Sequence, residues 1–250
     1  MGTPTERHLY VTWRHPEGSI MPIGLLNQRV SGDSVSYEFV YLKLAEQQPL
    51  FEPLPGFPEL HRRYESRQLF PVFANRQMPR ERPDYDAFLQ QLDLDVEADP
   101  FEVLARSEGQ RATDRIEVFA APTRTDADQL VTLFFARGVR HVDGASDAIA
   151  LLNAGDQLEL VPEPANTVNP RAMLINTATG DSVGYAPDYL LDTIHDLRHD
   201  DPTAVRVIVE HANPPSSAPH MRLLCRLTAP WPEGYQPLSG PEFQPLVGAR

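Results

Sequence analysis

Residues of the strand-forming kind, β-branched and aromatic, occur in this chain in two separate blocks, with a proline-broken stretch of helical character between them at 51–110. In the first block, Val35, Tyr37, Phe39 and Tyr41 alternate with Ser34, Ser36, Glu38 and Val40. A period of two with one apolar face predicts a half-buried strand over 34–42, and the Val-, Tyr- and Trp-rich run at 8–13 predicts another. Pro16-Glu17-Gly18 and Ser31-Gly32-Asp33 supply turns. In the middle stretch Pro53, Pro55 and Pro58 force a loop, and 69–76 has a helical cast. Phe88, Leu89 and Leu92 share one face of a helix predicted at 85–92. Asp99-Pro100 pairs an N-cap with proline at the first helical position, and Gly109 ends the helix that follows. The second block predicts strands at 132–139, 157–162, 172–176, 183–186, 205–210 and 223–227, with helices at 143–152 and 187–197. A polar linker is placed at 120–128 and an extended proline-rich tail at 229–250.

Composition excludes several classes. At 250 residues and 41% hydrophobic, the chain can bury a core. No apolar run approaches the roughly 18–20 residues of a membrane span, and no charged-then-apolar leader opens the chain. The Met-Gly start matches a myristoylation pattern only in part, and no second lipid signal supports it. A cytoplasmic protein without membrane partners is expected. Cys225 is the only cysteine, which excludes an internal disulfide and a cysteine-based zinc cage; its apolar setting predicts a buried, inert thiol. The net charge of −13 is uneven, −1 over residues 1–90 and −12 over 91–250. Such a surface repels polyanions at long range and argues against sequence-blind coating of nucleic acid, yet it leaves room for a pocket that reads one nucleic-acid end.

Four spaced motifs then stand in order between Phe134 and Leu227: Gly138-Val139-Arg140-His141; Gly155 ahead of Leu158-Glu159-Leu160; Glu163-Pro164-x-Asn166-x-x-Asn169-Pro170-x-Ala172; and Val183-Gly184-Tyr185-x-Pro187. Together they resemble the HIRAN domain family. The resemblance implies a small OB-like β-barrel with two helices, and recognition of the 3′ end of single-stranded DNA. It implies a pocket lined by His141, Asn166, Asn169 and Tyr185, with Arg140 on phosphate. Where DNA-binding members carry a Tyr-Asp pair, this chain has Val168-Asn169, and Asp188 stands where a basic residue is expected. Valine cannot stack on a base as tyrosine does.

In the N-terminal half, Ser66-x-x-Leu69-Phe70-Pro71-x-Phe73-x-Asn75-Arg76-x-Met78-Pro79 resembles the N-terminal subdomain of HipA-type toxin kinases. No nucleotide-binding lysine, catalytic aspartate loop or glycine-rich loop follows, so the resemblance implies a docking or regulatory lobe. Arg62, Arg63, Arg67, Arg76, Arg80 and Arg82 form the one basic concentration, interleaved with Tyr64, Phe70 and Phe73. Such a strip suits phosphate or a partner, but it equally suits a charged surface paired with Glu59, Glu65, Glu81 and Asp84, and Arg76 and Arg82 suit the fastening of a loop. Gly180-Asp181-Ser182-Val183-Gly184 has the letters of a nucleophile elbow, but a hairpin turn precedes it and a strand follows. His195 and His199 have a metal-compatible spacing beside Asp196, Asp200 and Asp201, though a solvated helix end has the same appearance.

The expectation is therefore an α+β chain. A β-rich lobe with helices spans 1–120, a HIRAN lobe 129–228 and a proline-rich tail 229–250. No catalytic set, cofactor or metal is expected. The leading function is non-catalytic binding of single-stranded or damaged DNA ends. The alternative is a protein–protein adaptor for a toxin kinase, a helicase or a defence complex.

Overall fold

The computed structural model describes residues 5–16, 18, 20–111, 114–199 and 201–248. The Met-Gly start, Glu17 in the first turn and Asp200 lie outside these. The chain forms two compact units that interleave in sequence. Met1–Tyr85, Glu97–Ala121 and Leu238–Arg250 make one; Asp86–Val96 and Pro122–Pro237 make the other. The architecture is mixed α+β, with two antiparallel sheets and short helices.

The first unit is built on a five-stranded sheet. Its strands are β1 (Thr5–Arg14), β2 (Ile20–Ser31), β3 (Ser34–Tyr41), β4 (Tyr64–Ser66) and β5 (Ile116–Ala120), in the order β4-β3-β2-β1-β5. The alternation in β3 does what its pattern predicts: Tyr37, Phe39 and Tyr41 point into the core. Phe39 sits at its centre, with ring centroids of Phe57 at 4.3 Å and Tyr41 at 4.9 Å. The buried Tyr41 hydroxyl donates to the Phe57 carbonyl at 2.8 Å and accepts from the Leu54 amide at 2.7 Å. One side chain thereby satisfies and fixes the proline-broken loop, which has no ladder of its own. The sequence reading missed β2, because Pro22 and Gly24 look like breakers. The sheet accommodates them at a register break opposite Val11 and Thr12.

Three helices flank this sheet: α1 (Lys43–Glu46), α2 (Pro71–Ala74) and, after α3 (Tyr85–Gln91), α4 (Pro100–Ser107). The helix expected at 69–76 is thus only the four residues of α2. At α4 the Asp99 side chain accepts from the Phe101 and Glu102 amides at 2.9 and 3.3 Å, as its Asp-Pro signature predicts.

The second unit carries β6 (Thr123–Arg124), β7 (Gln129–Phe135), β8 (Gln157–Pro162), β9 (Met173–Thr177), β10 (Ser182–Tyr185), β11 (Arg206–Ala212) and β12 (Leu223–Pro230). Their order is β10-β9-β8-β11-β12-β7-β6. The expected barrel is not closed by strand ladders. One antiparallel bridge, between Arg137 just past β7 and Tyr185 in β10, joins the far sides of the sheet. The linker expected at 120–128 contributes β6 to the sheet, and β12 runs two residues into the expected tail. Helices α5 (Ala145–Ala150) and α6 (Asp188–Arg198) complete the unit. Leu190, Leu191, Ile194 and Leu197 of α6 are buried with Phe134, Ile175, Val183 and Leu223. Cys225 is wholly buried among them. Arg222 is also buried; it donates to the Asn213 carbonyl at 3.1 Å and, at the start of α5, to the Ser146 hydroxyl and carbonyl at 2.6 and 3.1 Å. Among the described residues no helix is long and apolar enough to cross a membrane.

Candidate functional site

The bridge between Arg137 and Tyr185 consists of two main-chain hydrogen bonds, 2.8 Å from the Arg137 amide and 2.9 Å from the Tyr185 amide. Two motif glycines permit it. Gly184 has φ +141°, and a β-carbon there would lie 2.7 Å from the Arg137 carbonyl oxygen. Gly138 has φ +66° and turns the chain close against the Tyr185 ring, where a β-carbon would lie 3.1 Å from the ring edge. This places the exposed Arg140 and His141 in the single 3₁₀ turn that follows, Val139–His141, beside β10. Arg140 donates its Nε hydrogen to His141 Nε2 at 2.9 Å.

The loop from β8 to β9 builds the other side. Asn166 Oδ1 accepts from the amides of Val168 and Asn169 at 3.0 and 3.1 Å, and Asn169 Oδ1 accepts from the Arg171 amide at 3.0 Å. These are local side-chain turns of the kind asparagine supports. With both carbonyl oxygens engaged in the loop, the amide groups face carboxylates. Asn166 donates to Glu163 at 2.6 Å and Asn169 to Asp188 at 3.2 Å. The Tyr185 hydroxyl is hydrogen-bonded to Glu163 and Asn166; desolvation first, and then the Glu163 carboxylate, hold its pKa above the ordinary phenol value.

One face of α6 clamps this loop. Asp188 receives Asn169, Asp192 forms an ion pair with Arg171, and His195 Nε2 lies 2.9 Å from the Arg171 carbonyl oxygen. Positions 188, 192 and 195 follow the helical repeat of four and three. His195 thus serves as a loop anchor, and no group of residues that could hold a metal occurs among the described residues.

The geometry therefore brings Asn166, Asn169 and Tyr185 into one network and sets Arg140 and His141 next to it. Sequence reasoning missed Glu163 and Asp188 as members. The signal for Glu163 was present, since it opens the Glu163-Pro164-x-Asn166 motif; Asp188 was read only as a missing base. Val168 stands 83% exposed at the loop tip, with no ring to offer.

The arginine strip of the first unit is largely committed to its own fold. Arg76 is buried and reaches the carbonyls of Gly109 and Ile116 at 3.0 and 3.2 Å and the Asp114 carboxylate at 2.6 Å. Arg80 donates to the Ala98 carbonyl at 2.8 Å, and Arg63 to Glu38 and the Gly248 carbonyl. Arg62 pairs with Glu59 and Arg82 with Asp84, both in the open. Arg67 is exposed.

A cleft of about 720 Å³ opens elsewhere in the second unit, where β8 and β11 diverge after two residue pairs. Arg198 reaches into this region and caps the Leu160 carbonyl at 2.8 Å. None of the five residues expected in the binding pocket lines it.

No protein-family model matches the chain, and no curated protein matches it. Among solved structures it is similar to the HIRAN domain of human HLTF, at 14% identity over 42% of this chain and 78% of that one, with a TM-score of 0.30. It is also similar to a structural-genomics protein of Lactobacillus plantarum, at 19% identity over 40% of this chain and 96% of that one, with a TM-score of 0.34. At these scores neither carries a functional argument. The likeness of the N-terminal half to HipA-type subdomains rests on its sequence motif alone.

Proposed function

We propose that the chain is a non-catalytic binding protein whose second unit recognises the end of a single-stranded or damaged DNA strand in the manner of a HIRAN domain. The observation that carries this reading is the network joining Tyr185, Asn166, Glu163, Asn169 and Asp188, with Arg140 and His141 alongside. A half-buried ring packed along one edge against Gly138 suits stacking on a terminal base. Carboxylates already held in place suit acceptance of a hydrogen bond from a terminal hydroxyl. Arg140 suits the adjoining phosphate.

The test is fluorescence anisotropy with a short single strand ending in a 3′ hydroxyl, compared with the same strand ending in a 3′ phosphate, at near-physiological salt. The hydroxyl end should bind more tightly. Tyr185→Ala should lower that affinity by the stacking contribution of about 1–3 kcal/mol, roughly 5- to 150-fold. Asn169→Ala should remove the end preference. If both variants bind as the parent does, or neither strand binds, the reading fails.

A second reading, a protein–protein adaptor, is favoured by Val168, an apolar side chain standing almost fully in solvent on a loop folded by the Asn166 and Asn169 side chains. Under that reading Val168→Asp abolishes capture of a protein partner and leaves any DNA binding unchanged.

A further inference from the structure

After Pro237 the chain leaves the second unit, and residues 238–248 lie on the first. The segment is laid along the end of β3 and the start of α1. The Leu246 amide donates to the Tyr41 carbonyl and the Lys43 amide to the Gln244 carbonyl, both at 2.8 Å, with a β-bridge between Leu42 and Pro245. Lys43 Nζ adds a bond to Gln244 Oε1 at 2.7 Å, and Phe243 meets Tyr10 edge-on at 5.2 Å. The segment is one 3₁₀ turn, Pro241–Phe243, followed by a short extended stretch that bridges to the end of a sheet, held by main-chain bonds and a few side-chain anchors.

Three features make the segment exchangeable. Beyond Leu238 none of its described side chains is fully buried, and Leu246 only rests against the core. Leu238, the lead-in, is buried at φ +56°, a left-handed conformation unfavourable for leucine, so detachment releases strain. The segment's one element is the single 3₁₀ turn Pro241–Phe243, opened by a proline whose φ is already fixed, so little has to be ordered when it docks again.

We propose that this ledge of the first unit is a peptide-docking site whose second occupant is the 240–247 segment of another copy of this chain, the two copies exchanging segments. Every contact named above is made within one segment and one ledge, so a segment in trans can reproduce all of them.

The test uses the full chain and a labelled synthetic peptide of residues 238–248. Leu246→Asp should disable the chain's own segment and leave the ledge open. That variant should take up the peptide saturably, and the wild-type chain should require at least tenfold more, because its tethered segment competes. A peptide carrying the same aspartate should bind neither. By sedimentation, the wild-type chain should show a concentration-dependent dimer that excess peptide dissolves. Failure of a folded Leu246→Asp chain to bind the peptide overturns the docking site. A wild-type chain that stays monomeric at every concentration overturns the exchange, and this arm decides even where Leu246→Asp fails to fold. Neither arm involves DNA, so the outcome is independent of the function proposed above.

Discussion

Replacing Gly184 by alanine places a β-carbon 2.7 Å from the Arg137 carbonyl oxygen, a distance that such pairs do not tolerate, at φ +141°. Neither side can yield cheaply, because the oxygen is main chain and a β-carbon is fixed rigidly to its own main chain. Two costs follow. Holding alanine in that region costs about 1–3 kcal/mol. Pushing Arg137 away breaks the two bonds of 2.8 and 2.9 Å that join the far sides of the sheet, each contributing about 0.5–1.5 kcal/mol net. The total of about 2–6 kcal/mol is a large share of the 5–15 kcal/mol that typically holds a domain together. Gly180→Ala is the internal control. Its φ is +91° with nothing within 4 Å, so it should cost only the backbone term. The assay is urea unfolding followed by Trp231 fluorescence in a Trp13→Phe background, which isolates the second unit. Equal losses in the two alanine variants would refute the close-approach argument. So would a Gly184→Ala chain that keeps the parent's full affinity for a 3′ hydroxyl end, because Tyr185 would then be indifferent to its seat.

Arg76→Met keeps the buried stem but strips the guanidinium from the Gly109 and Ile116 carbonyls and from Asp114, and should lower the stability of the first unit by about 2–4 kcal/mol in urea unfolding. Arg62→Ala, which removes an exposed partner of Glu59, should leave the same midpoint nearly unchanged. Burial pushes the Cys225 thiol and the Tyr41 phenol well above their ordinary values. The folded chain therefore holds protons that the unfolded chain releases, and stability, complete below about pH 8.5, should fall as pH rises past that point and fall further above about pH 10. Urea midpoints between pH 7 and pH 10.5 check this, and Cys225→Ala should remove the first decline.

What the sequence made legible was whatever one residue type decides locally. Asp99-Pro100 caps α4 because an acidic side chain and a missing amide solve the same problem at a helix start. The alternation in β3 and the apolar face of α6 each follow a single period. The rest depended on partners far away in the chain. Strand β2 is legible only once its own bulge at Ile23, between the pairs Val11–Gly24 and Thr12–Pro22, is known. The division into units is hidden because 86–96 and 238–250 are each claimed by distant neighbours. Arg76 reads as a surface base until Asp114 and two carbonyls surround it, since guanidinium donors look the same in sequence wherever they point. The candidate site divides in the same way. Tyr185 and both asparagines were legible from motif spacing, but Asp188 joined them only through the fold of α6 against the loop.

That last pairing sets the electrostatic character of the site. Glu163 and Asp188 each receive one asparagine amide and lie in the same network as the Tyr185 hydroxyl. A ligand arriving there meets acceptors, with the loop's own donors already engaged. A hydroxyl can donate into such a place. A terminal phosphate would add negative charge beside two carboxylates inside a unit of net charge −10, where like charges within a few ångströms repel strongly. The replacement of a base by Asp188 therefore does not simply weaken a DNA-binding pocket. It should convert general affinity for the strand into discrimination between its possible ends, with Arg140 left to hold the internal phosphate. Asp188→Asn separates the two effects: it should raise binding of the 3′ phosphate strand while leaving the hydroxyl strand nearly unchanged. A variant that gains nothing for the phosphate end would show that the carboxylates build the loop and do not read the ligand.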